Sequence, residues 1–71
     1  NNEHELGVVW SKAKEILSPS AFRSLRLHYG EEITVKEVAI IMGKNKVAIK
    51  VILHRSRKKL AEYFKINPIK L

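Results

Sequence analysis

The chain has 71 residues, no cysteine and a formal charge of +7, which is enough for one small domain with a limited core. Without cysteine there is neither a disulfide framework nor a thiolate metal site, and no apolar run approaches the ~18 residues of a membrane span. The charge is lopsided: residues 1–43 hold five Lys/Arg against six Glu, and residues 44–71 hold nine Lys/Arg against one Glu. The chain opens with Asn1-Asn2 rather than methionine, so a fragment of a longer protein is expected.

A first helix is predicted over 1–17, with its pattern beginning at residue 3. Leu6, Trp10, Ala13 and Leu17 recur at helical spacing, with Val9 and Ile16 beside them. Glu3 and Glu5 suit its start, and Lys12 and Lys14 lie further along. Trp10 reads as a core anchor. Ser18-Pro19 restarts the chain, because serine caps and proline suits the first helical position. The second helix, predicted over 18–30, carries Phe22, Leu25 and Tyr29 on its stripe, and Gly30 ends it. Leu27 points away from that stripe and either widens the buried face or is exposed. His4, His28 and His54 have no ligand-like spacing and read as surface or satisfied histidines, so no metal site is expected.

Glu31-Glu32-Ile33 leads into the stretch that organises the chain, 34–60. Thr34 and Glu37 form a capping box, and Ile33 before them can pack back as a hydrophobic staple. Val35, Val38, Ala39 and Met42 follow at helical spacing, which predicts a scaffold helix over 34–43. Gly43 stands where a helix must stop, since glycine enters the left-handed region at little cost. Asn45 caps the next helix, 46–64, which carries Ile49, Leu53, Leu60 and Phe64 on one face. Helix, tight turn and helix make a helix-turn-helix unit, whose second helix enters the DNA major groove. Ala39 lies where the helices cross, and Ile49 plugs the angle between them. An ordinary helical hairpin is the plainer alternative on this spacing. The tail, 65–71, contains Asn67-Pro68 and is expected to be loose. No period-2 alternation persists between turn signals. The expected fold class is therefore all-α, a four-helix domain with a C-terminal helix-turn-helix.

The basic half of the chain coincides with the second helix of that unit. A field of that sign attracts polyanions. The bland reading is a solvated helix end, since Lys and Arg favour helix C-termini. Catalysis is not expected, nor is a cofactor. The chain has no aspartate, its glutamates sit at helix starts and in a linker, and no glycine loop could cradle a phosphate. On a helical wheel Ile49, Leu53, Ser56 and Leu60 face the core, while Val47, Val51, Arg55 and Lys58 face away.

Residues 18–64 resemble region four of bacterial sigma factors, particularly the small extracytoplasmic-function type. L-S-P-S-A-F-R-S-L-R-L-H-Y-G-E-E-I-T is similar to that family's opening helix and linker, and V-K-E-V-A-I-I-M-G to its scaffold helix. A-I-K-V-I-L-H-R-S-R-K-K-L is similar to its recognition helix, with H-R-S-R-K-K-L the most specific part. Residues 1–17 match only in being helical. The output domain of LuxR-type response regulators shares the opening and the scaffold helix but usually lacks that ending. The resemblance implies a four-helix domain that binds the upstream (minus-thirty-five) element of double-stranded promoter DNA. It also implies docking to the β flap of the RNA polymerase core, capture by an anti-sigma factor, and a cytoplasmic location without a membrane partner. Carried over by position, Lys46, Val47, Ala48, Lys50 and Val51 would face bases or nearby backbone. Thr34, Lys36, Arg55, Lys58 and Lys59 would lie near phosphates, and Lys44 and His54 complete the expected DNA-binding set.

The chain departs from the family where specificity is made. The turn and helix start usually carry small polar residues, and here the run is K-N-K-V-A-I-K-V-I. Aliphatic side chains contact thymine methyls but give no bidentate hydrogen-bond readout. Two readings therefore stay open beside a LuxR-type regulator. Either the domain reads a T-rich site by shape and methyl contact, or a Val47/Val51/Ile52 face binds a protein.

Overall fold

Four helices in chain order make up the computed structural model, which describes the backbone of residues 2–65 and side chains from residue 7 onward. The expectations on Glu3, His4, Glu5, Leu6 and the tail beyond Lys65 lie outside these residues. Helix α1 spans Asn2–Ile16, α2 Pro19–Leu25, α3 Val35–Met42 and α4 Lys46–Phe64. A π-helical turn, Arg26–Gly30, continues α2 without a break. No strand occurs among the described residues, so the all-α expectation holds.

Each junction has a local cause. Ser18 Oγ accepts the Ala21 N–H at 3.2 Å, and Pro19 takes the first helical position of α2, where its missing N–H costs nothing. After Leu25 the hydrogen bonds lengthen by one residue, with the Glu31 N–H on the Arg26 carbonyl at 3.1 Å. The second helix is thus an α segment followed by a π turn, not one α-helix over 18–30. Gly30 ends the turn, and a Cβ there would lie 3.2 Å from Arg26 Cδ and 3.5 Å from Trp10 Cζ2. The left-handed residue of this junction is Glu32, with φ 57. His28 Nδ1–H donates to the Ile33 carbonyl at 2.7 Å and the Ile33 N–H to the Leu27 carbonyl at 3.1 Å, which folds the linker back on the turn.

Helix α4 packs against both α2 and α3, and α1 lies on α2. The core consists of Ala13, Leu17, Leu25, Val38, Ala39, Ile49, Leu53 and Leu60. Ile49, Leu53 and Leu60 are essentially fully buried, and burial of side chains of this size contributes about 1.5–3 kcal/mol apiece. Ser24 and Ser56 are buried on the facing helices α2 and α4, and the Ser24 hydroxyl donates back to the Ser20 carbonyl at 3.0 Å. Trp10 does anchor α1, but from the rim. Its half-buried ring meets Phe22 edge-on at 6.3 Å and carries the Arg26 guanidinium 4.9 Å from its centroid. Leu27 widens the buried face, whereas Tyr29 is 39 % exposed.

Candidate nucleic-acid interface

Three devices in chain order fix the ends of α3 and the start of α4. Thr34 Oγ1 accepts the Glu37 N–H at 3.2 Å and starts α3. The Glu37 carboxylate accepts from the Thr34 hydroxyl at 3.1 Å, where a full capping box would have it take the Thr34 backbone N–H. Gly43 ends α3 in the left-handed region, with φ 67 and ψ 35. Its N–H reaches the Ile40 carbonyl at 3.2 Å and the Lys44 N–H reaches the Ala39 carbonyl at 2.9 Å, the paired bonds of a Schellman motif. Asn45 Oδ1 then accepts the Ala48 N–H at 2.7 Å and opens α4. Ala39 is 5 % exposed and Ile49 is fully buried, so the small residue and the plug hold the two helices at one angle.

With one stripe of α4 committed to the core, the other is free. Ile49, Leu53, Ser56 and Leu60 are the buried set the wheel predicts. Lys44, Lys46, Lys50, His54, Arg55, Lys58 and Lys59 are all exposed, as is Lys36 on α3. Val47 is 70 % and Val51 40 % exposed, and Ala48 between them is half-buried. Thr34 is exposed, but its hydroxyl already serves the cap. None of these cations pairs with a described carboxylate; the ion pair among the described residues joins Lys12 to Glu15 on α1 at 3.2 Å. Arg57 differs from its neighbours. It is partly buried, donates to the hydroxyl of the exposed Tyr29 and lies 5.8 Å from that ring's centroid.

Ile52 does not belong with Val47 and Val51. It lies three residues after buried Ile49 and one before buried Leu53, so it flanks the buried stripe and packs against the core. Its outer edge lines a shallow hollow with Leu17, Ser18, Ala21, Arg55, Ser56 and Lys59. The hollow sets the cap of α2 beside two cations of α4, a juxtaposition that depends on helix packing and leaves no periodic trace in the sequence. Ile40 and Ile41 are exposed by 72 % and 47 %. Both fall off the Val35, Val38, Ala39, Met42 stripe, so helical phase alone marks them as outward-facing.

The geometry is that of a capped helix-turn-helix presenting an unpaired basic helix with an aliphatic leading end. Neither a search of curated proteins nor one of solved structures finds a match to this chain. Residues 10–60, from Trp10 on α1 to Leu60 on α4, match the family model described as sigma-70, region 4, and the chain belongs to that family of sigma-factor DNA-binding domains.

Proposed function

We propose that this domain places a sigma factor on the upstream (minus-thirty-five) promoter element, with α4 in the major groove and the domain docked on the β flap of RNA polymerase. The observation that carries the reading is the row of exposed, unpaired cations along α4, from Lys46 to Lys59, behind a turn that Gly43 and Asn45 hold rigid. An anti-sigma factor would compete for the same face. The role is non-catalytic and belongs in the cytoplasm, where polymerase and promoter meet. Membership of the sigma-70 family separates the chain from LuxR-type regulators. A protein-binding reading draws support from Ile40 and Val47, the most exposed large apolar side chains among the described residues.

Salt titration tests the DNA reading. If four to six phosphates are neutralised, log K for duplex DNA falls against log salt with a slope of about −4 to −5. Arg55→Ala and Lys58→Ala each reduce that slope by about 0.9 and weaken all sequences alike, because phosphate contacts position without specifying. A flat salt response removes DNA as the partner, and loss of preference at a single base pair moves those residues into a reading role.

A further inference from the structure

Resting on the DNA-binding reading above, we propose that α4 recognises its site through the 5-methyl groups of thymine, gripped by Val47 and Val51. The proposal follows partly from what these valines are and partly from what their neighbours are not. Val47 and Val51 are 70 % and 40 % exposed at the leading end of α4, while Ile49 and Leu53 fill the core side. Exposed β-branched residues give a helix no advantage, so folding does not call for them.

The codes for adenine and cytosine are absent from this end of the helix. Adenine is read by a carboxamide that donates and accepts together. Asn45 is the one carboxamide among residues 7–65, and its Oδ1 is engaged by the Ala48 N–H at 2.7 Å. Cytosine is read by a carboxylate. The one carboxylate on α4 is Glu62, in its last turn, away from the leading end. Lys46 and Lys50 can donate to guanine. A lysine donates to the acceptors of either pair, so what remains to mark an A·T pair is the thymine methyl. Four residues apart, the two valines are separated by about 6 Å along the helix axis. That distance spans about two base-pair steps at ~3.4 Å per step. The readout is therefore one or two thymines in a short window, flanked by guanine or by phosphate contacts from the lysines.

Uracil in place of thymine tests this directly, since it removes the methyl and keeps every hydrogen-bonding group. The unaltered protein is first used to select a preferred duplex from a randomised pool, and each thymine of that duplex is then replaced by uracil in turn. One or two replacements weaken binding by about fourfold each, from ~0.8 kcal/mol per buried methyl-sized group and tenfold per 1.4 kcal/mol. V47S and V51S, which replace the apolar branches with a hydroxyl, bind the thymine and uracil duplexes equally at the position each valine reads. Sequence-preferring binding that ignores uracil everywhere, or valine variants that keep the full uracil penalty, overturns methyl reading and leaves DNA binding standing. Absence of binding to any duplex at low salt overturns both.

Discussion

Asn45 stands at the point where fold and function meet. Its side-chain oxygen accepts the Ala48 N–H at 2.7 Å, and Lys44 and Lys46 flank it. The cap tolerates few substitutes, and their effects differ in kind. Asn45→Ala removes the acceptor and lowers stability by about 1 kcal/mol, within the 0.5–2 range for lost caps. Asn45→Asp keeps an acceptor and adds a charge that the positive end of the helix dipole favours. The melting temperature of Asn45→Asp therefore stays at or above that of the parent. The same charge sits at the end of α4 that meets phosphates, so affinity for every duplex falls. Thermal melting and DNA titration on the two variants separate these outcomes. A parent-like affinity for Asn45→Asp would mean that the leading end of α4 does not approach DNA.

At the scale of the element, the helix-turn-helix depends on Ala39 being small. It is 5 % exposed on α3, which packs against α4. Ala39→Leu adds methylenes at that crossing and costs about 1–3 kcal/mol, a large share of what a domain this size can hold. Calorimetry or a thermal melt reads it, and an unchanged midpoint would show that α3 and α4 meet elsewhere. The boundaries of this element were legible in the sequence because its caps act within four residues of their own positions: Thr34 on Glu37, Gly43 on Ile40, Asn45 on Ala48. The end of α2 was not legible. No residue type marks a π turn that continues a helix, and the Leu25-to-Tyr29 spacing presumes 3.6 residues per turn. The π turn breaks that presumption, so Leu27 reaches the core and Tyr29 is left at the edge with Arg57. For the interface, the exposed lysines followed from helical phase alone. Placing Ile52 needed the packing of α4 on α2 as well as its phase, since the hollow it lines is walled by both.

Across the whole molecule, charge is sorted by sequence position, and the fold concentrates it further. The first 43 residues nearly balance, while residues 44–71 carry nine Lys/Arg against one Glu. On α4, Lys46–Lys50, Arg55–Lys58 and Arg55–Lys59 are like-charge pairs at helical neighbour spacing, all exposed and without carboxylate partners among the described residues. Such pairs cost about 0.2–0.5 kcal/mol each at low salt, or about 1 kcal/mol together. Screening relieves that cost: the Debye length shrinks from about 30 Å at 0.01 M to about 8 Å at 0.15 M. The free chain should therefore gain stability over that range, with a melting temperature higher by about 4–8 °C per kcal/mol recovered. DNA binding has the opposite sign. A bound duplex stabilises the folded state by mass action, and salt weakens that binding steeply. With saturating duplex present, the melting temperature should fall with salt and approach the rising curve of the free chain from above. Two melting series, with and without DNA, contain the test. A free chain whose midpoint is flat or falls with salt would show that the cations of α4 do not strain the fold. Parallel curves in the two series would show that the duplex is not held by those cations.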